Sequence, residues 1–365
     1  MKKLLILFCI SLLLCGLTAC NSPASPAGQN SPEQETQTAE NSITQYSSLE
    51  PVVLIGADST GEGAAGQLLG ECIAARLDEI TGGQLTMSYH PNGELGGDTD
   101  LLRQMQNNDI QLVICQTAPV VSFIPNMAVF DLPMVFAGYD GDTIEAVLNG
   151  EDSAFRAALA DAYQEAGLRL LGFLQNATYR LTTAHIALQS LEDFAGLQIR
   201  TMENTNHMDF WSAIGAMPTP LTWSEVYFAL RSGAIDAQEN AADTCIGANL
   251  DEVQEYLACT NHILYVNQIC INQDAYAALD PLYQAALDQA VAEAIAEIRP
   301  QLQEIDQNNK DQLVADGMTM IEYDAAFFDQ ILALEGVKEL YARIDTEQTD
   351  GLATLLQEEL QTAAE

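Results

Sequence analysis

The alternation of short apolar runs with amphipathic stretches between Val52 and Cys115 constrains this chain most. Val52 to Ile55 reads as a β-branched strand, about Glu62 to Ile80 as a helix, and Gln84 to Tyr89 as an alternating strand. Asp98 to Asn107 is then helical and Gln111 to Cys115 a buried strand. Strands joined through helices cannot pair as hairpins, so the expectation is an α/β fold, a mainly parallel sheet wrapped by helices. The pattern continues with helix in two pieces over Asp140 to Gly167, a strand at Leu168 to Leu174, and a second round beginning with a strand at Tyr179 to Thr183 around Arg180. From Pro51 onward some 315 residues exceed what one compact core usually holds, which predicts two lobes.

The start of the chain reads differently. Lys2 and Lys3 precede the apolar run Leu4 to Leu14, too short for a bilayer but suited to a signal-peptide core. Residues 1–19 are therefore expected to be a leader. Leu17-Thr-Ala-Cys20 resembles a bacterial lipobox, which makes Cys20 the expected lipidated residue and places the protein outside the cytoplasmic membrane. Residues 20–50, rich in Ser, Pro, Gln, Thr, Asn and Glu, bury little and read as a disordered tether.

With 52 acidic against 13 basic residues, the formal net charge is −39. Such a surface repels phosphate backbones and anionic headgroups, which argues against nucleic acid as a partner. Five cysteines beyond the leader, Cys72, Cys115, Cys245, Cys259 and Cys270, lack metal-ligand spacing and read as free thiols, with one Cys259–Cys270 pair left open. Glu203 and His207 could share a helix face, but two ligands make no metal site. The glycines at 61, 63 and 66 spell GxGxxG, yet the second strand ends Tyr89-His-Pro91 without the acidic residue a ribose needs. A turn lining a cleft for a small anion fits better, and no cofactor is expected. No GxSxG, HExxH or P-loop occurs, which moves the balance from catalysis toward binding.

The segment from Leu197 to Asn240 carries the candidate site. A strand at Leu197 to Thr201 contains Arg200, an arginine suited to a carboxylate in a chain nearly stripped of positive charge. Asn204 to Ile214 and Thr222 to Ser232 read as helices. Thr222 and Glu225 suggest a capping box, with a Leu221–Val226 staple across it, which would hold Trp223 at the first turn. Trp223 reads either as a packing residue or as part of a pocket wall. Further on, Leu282 to Gln307 is a long amphipathic helix that Pro300 should kink, long enough to brace two lobes.

Gly196-Leu-Gln-Ile-Arg200, Gly215-Ala-Met-Pro-Thr-Pro220, Ala229 to Asp236, Gln238-Glu-Asn240 and Thr260-Asn-His262 together resemble the DctP-type solute-binding subunit of TRAP transporters. Gly93 to Gly97 and Ala128 to Pro133 fit the same family, so the resemblance spans roughly Val52 to Leu279. It implies a two-lobed periplasmic-binding-protein fold, type II-like, with lobe I at 51–177 plus about 266–305 and lobe II at 178–265 plus about 306–365. It also implies no enzyme, but a protein that closes on a small organic acid, of the sugar-acid or dicarboxylate class, and delivers it to membrane subunits. Arg200 takes the place of the carboxylate-pairing arginine, Arg180 that of a second arginine at the ligand, and Asn240 that of an asparagine near the carboxylate. Gln116 should face the cleft, Trp223 stands where an aromatic often closes the pocket, and His262 is either site or structural residue. Glu203, where a polar residue is common, would accept ligand hydroxyls or repel a second acid group. Departures are Thr201-Met-Glu203 in place of a frequent valine and proline, and Ala237 in place of a glycine. An ABC-type binding lipoprotein and an anchored extracellular enzyme remain as rival readings.

Overall fold

The structure, a computed structural model, describes residues 43–365, so the expected leader, Cys20 and most of the tether lie outside the described residues. The last part of the expected tether is packed: Tyr46 is buried and stacks on Tyr283 at 6.0 Å between ring centroids. The fold is α/β and two-lobed, built on two sheets.

The first sheet orders its strands β2-β1-β3-β10-β4. These are β1 (Val52–Ala57), β2 (Leu85–His90), β3 (Leu112–Gln116), β4 (Leu168–Leu174) and β10 (Asn267–Asn272). Helices α1 (Ala65–Thr81) and α2 (Asp98–Gln106) make the crossovers that keep β1, β2 and β3 parallel. The expectation of a mainly parallel sheet needs correction, because β10 inserts antiparallel between β3 and β4. It enters from the second half of the chain, so no crossover helix dictates its direction.

The second sheet has the order β11-β9-β5-β8-β6-β7. Its strands are β5 (Leu181–Ala184), β6 (Gln198–Thr201), β7 (Met217–Pro220), β8 (Ala237–Asn240), β9 (Tyr256–Ala258) and β11 (Thr319–Ile321). It is also mixed, with β5 antiparallel to β8 and β9, and β6 parallel to β7 and β8. Pro218 and Pro220 sit in β7 at the sheet edge, where a missing N–H costs no ladder bond.

The long helix breaks where proline requires. A helix over Pro281–Ile298 passes through a 3-10 turn at Arg299–Gln301 into a further helix, Leu302–Ala315. The first part packs on α1 and β4, and the second on the short helix Ala242–Gly247 of the other sheet, so the pair braces both halves. The final helix, Leu352–Ala363, returns to pack on the helices Gly141–Leu148 and Ala154–Glu165 beside the first sheet. No helix among the described residues is long and apolar enough to cross a membrane.

Candidate functional site

A cavity of about 170 Å³ opens where strand ends from the two sheets face each other. Ser59 and Thr60 follow β1, Gln116 ends β3, Asn240 ends β8, and Leu221, Thr222 and Trp223 follow β7. Arg200 lies near the end of β6, and helix α2 contributes Asp98, Thr99, Asp100 and Arg103. Ligands in open α/β sheets bind beyond the carboxyl ends of strands, and the cavity occupies that position on both sheets. The glycines at 61, 63 and 66 are not part of the wall; Ser59 and Thr60 before that turn are.

Cross-cleft hydrogen bonds hold the walls together. Thr99 Oγ1 donates to Glu203 Oε2 at 2.8 Å, and Asn204 Nδ2 to the Ala118 carbonyl at 2.9 Å. The start of α1 has no cap of its own from Ala64. Asp243, from the other side, accepts the Ala65 N–H at 3.0 Å instead. A carboxylate at an uncapped helix start gains from the exposed N–H groups and from the helix dipole.

Arg200 is buried, 3% exposed. Its Nε and Nη2 donate to the Leu221 carbonyl at 2.9 and 2.7 Å, its Nη1 has no partner, and no acidic oxygen among the described residues lies at ion-pair distance. Burial depresses its pKa from 12.5 to about 10, with Glu239 pulling the other way, so it stays charged at neutral pH. The Trp223 ring lies 5.5 Å from the guanidinium carbon, which places that tryptophan on the cavity beside the cation.

Arg180 is in the opposite condition. It is absent from the cavity wall, with Nε and Nη2 engaged by the Glu239 carboxylate, Nη2 also donating to the Glu239 carbonyl at 3.0 Å, and Nη1 donating to Gln116 Oε1. Gln116 therefore turns its Nε2 toward Asn240 Oδ1, 3.5 Å away. The two arginines that sequence reasoning placed at one ligand are thus divided: one is neutralised behind the wall and orients Gln116, the other stands in the wall without a counterion.

Glu239 is the centre of a buried polar cluster. His262 Nε2 lies 3.1 Å from Glu239 Oε2, while its Nδ1 meets Thr260 Oγ1 at 3.0 Å, which makes His262 a structural residue. His207 Nε2 lies 3.2 Å from Asp131 Oδ1 and its Nδ1 3.8 Å from Glu239 Oε1. Burial alone would lower the His207 pKa, but the two flanking carboxylates raise it to about 9. Burial likewise opposes the charge on Glu239, yet Arg180 and the histidines hold it well below the usual carboxylate range. His207 faces this cluster while Glu203 is at the exposed rim, so the two are not placed as a pair; among the described residues no group of three or more His, Cys, Asp or Glu side chains is arranged to hold a metal ion.

One expectation fails, the capping box at the start of the helix Trp223–Ser232. Thr222 makes no side-chain cap bond; its Oγ1 donates to Glu225 Oε2 at 2.7 Å, the two side chains satisfying each other instead of the backbone. The five described cysteines are free thiols, as read from their spacing, and the Cys259–Cys270 pair left open does not form: Cys270 is enclosed in the first sheet, against Met105 and Val113.

Sequence reasoning missed the contribution of helix α2 and the turn after β1 to the cavity, Asp98 above all. Its Oδ1 accepts from the Ser59 hydroxyl, and burial raises its pKa to about 6 against that bond and the pull of both arginines. As the first acid of a helix it carried no signal beyond helix initiation.

Residues 64–347 match DctP, the bacterial extracellular solute-binding protein family 7. The sialic acid-binding periplasmic protein SiaP of Vibrio cholerae is 30% identical over 220 residues, 60% of this chain and 67% of that protein. A solute-binding protein of Verminephrobacter eiseniae is 28% identical over 264 residues, 72% of this chain and 77% of its own length. Among solved structures, a TRAP periplasmic solute-binding protein from Desulfovibrio salexigens with bound orotic acid superposes with a TM-score of 0.80 at 19% identity, covering 85% of this chain and 99% of that one, which speaks for the fold. The family match, spanning most of the chain and the whole cavity wall from Asp98 onward, makes this protein a member of bacterial extracellular solute-binding protein family 7, the DctP family of TRAP solute-binding proteins.

Proposed function

We propose that the chain is the extracytoplasmic receptor of a TRAP transporter, which takes a small organic acid into the cavity and passes it to the membrane subunits. One observation carries this reading: a buried guanidinium on the cavity wall without an acidic partner among the described residues, in a strongly acidic protein. Selection for stability alone would have paired it, as Arg180 is paired. A ligand carboxylate supplies the missing charge, and exclusion of water around it strengthens the pair.

Arg200, Asn240, Gln116, Trp223 and Glu203 are the proposed ligand-facing residues, with Arg180 fixing Gln116 from behind. Names of relatives that state sialic acid and C4-dicarboxylates support an organic acid as the cargo class. We place lobe I at 51–177 plus about 266–305 and lobe II at 178–265 plus the following helices, the final helix strapping back onto lobe I. Cys20 is proposed as a lipidated anchor at the outer face of the membrane, with the segment before Tyr46 as the tether. A thermal-shift screen of sugar acids, dicarboxylates and keto acids tests the receptor role. A ligand at a hundred times its dissociation constant adds about 2.7 kcal/mol of stability. Stabilisation by acids that disappears on Arg200→Met supports the reading; stabilisation only by neutral solutes, or equal in the variant, refutes it.

A further inference from the structure

We propose that the cavity selects an acid with one carboxylate and a hydroxyl-bearing far end, and that Asp98 rejects a second carboxylate; this rests on the reading of Arg200 given above. The argument begins with how charge is sorted around the cavity. Five charged residues line it: Arg103, Arg200, Asp98, Asp100 and Glu203. Arg103 and Asp100 lie 3.8 Å apart, and both side chains are about two-thirds exposed, at 66% and 65%, so their charges cancel in water and are screened by it. One buried cation remains, Arg200, and it takes one carboxylate.

The side of the wall formed by α2 and Glu203, apart from Asn240 and Trp223, is acceptor-rich. Among the described residues Asp98 has no basic group at ion-pair distance, and its one side-chain hydrogen bond is accepted from Ser59. Glu203 keeps one carboxylate oxygen beyond the one engaged by Thr99. Thr60 Oγ1 is already turned to Asp58, 3.1 Å away. A second ligand carboxylate would add an acceptor to a wall that offers acceptors, and like charges sharing one low-dielectric site cannot both stay ionised. Hydroxyl groups meet the same wall as donors and satisfy it.

Matched acids that differ only in the terminal group decide the matter. Calorimetric titration would compare D-gluconate with D-glucarate, L-threonate with L-tartrate, and 4-hydroxybutanoate with succinate, on wild type, Asp98→Asn and Arg200→Met. The expected result is a monoacid that binds at least about tenfold more tightly than its diacid, with Asp98→Asn narrowing that ratio chiefly through tighter diacid binding. Glu203→Gln, at the exposed rim, is expected to narrow it less, and it keeps the test open if Asp98→Asn fails to fold by circular dichroism. A wild-type protein that binds the diacid equally or better overturns the inference, as does a ratio that neither variant moves. The reading beneath it fails separately, if no acid binds or if Arg200→Met binds as wild type does.

Discussion

Replacing Arg200 by methionine should separate folding from binding in a way that replacing Arg180 should not. Burial lowers the Arg200 pKa from 12.5 to about 10, which corresponds to about 3 kcal/mol set against the charge. Its two hydrogen bonds to the Leu221 carbonyl offset about 1.5–3 kcal/mol of that. Methionine has similar length and no charge, so the two contributions largely cancel and the unfolding free energy should change by no more than about 1.5 kcal/mol, a few degrees of Tm. Arg180→Met instead strands Glu239 inside the protein and should cost about 3–5 kcal/mol. For binding, Arg200→Met should lose about 2–5 kcal/mol, roughly 30- to 4,000-fold in Kd, because the ligand carboxylate enters a desolvated site without its partner. Urea unfolding gives the first pair of numbers and calorimetry the second. Wild-type affinity in Arg200→Met, or a stability loss as large as that of Arg180→Met, would refute the reasoning.

Three further outcomes are expected. Asp243→Asn weakens the contact that caps α1 across the cleft, so ligand affinity should fall about tenfold and small-angle scattering should show a larger ligand-free radius of gyration, with no residue at the ligand altered. His207, with a folded pKa of about 9 above its ordinary 6.5, contributes stability that is complete below pH 6.5 and is lost as pH rises through 9. Urea titrations should therefore show about 3 kcal/mol of pH-dependent loss over that window in wild type that His207→Gln lacks. Cys20→Ser should abolish incorporation of radiolabelled fatty acid and release the protein from the membrane fraction; label retained in the variant would remove the anchor.

Much of the scaffold was legible because periodicity reports burial. The strand Leu168–Leu174 was read at its observed bounds, where a mostly apolar run follows Gly167. The strand Ala237–Asn240 was read as a motif rather than a strand, since its polar residues carry no hydrophobic signal. They are buried because tertiary partners satisfy them: Gln238 bonds Thr183, and Glu239 holds Arg180. Of the site, Arg200 was visible from charge scarcity and motif. The difference between Arg200 and Arg180 was not, because the counterion that neutralises Arg180 lies 59 residues away in the chain. Asp98 escaped for the same reason: its partner Ser59 lies 39 residues away in the chain, and nothing in its own neighbourhood announces the cavity. Thr222 and Glu225 show the reverse error, a correct spacing whose side chains found each other before the backbone.

The most direct test is a crystal structure of the protein with the acid that binds it most tightly in calorimetry. The account predicts the ligand carboxylate within about 3 Å of the Arg200 guanidinium, beside Trp223, with the ligand's far end toward Asp98. A ligand whose carboxylate lies elsewhere, with Arg200 still bonded only to the Leu221 carbonyl, would contradict it.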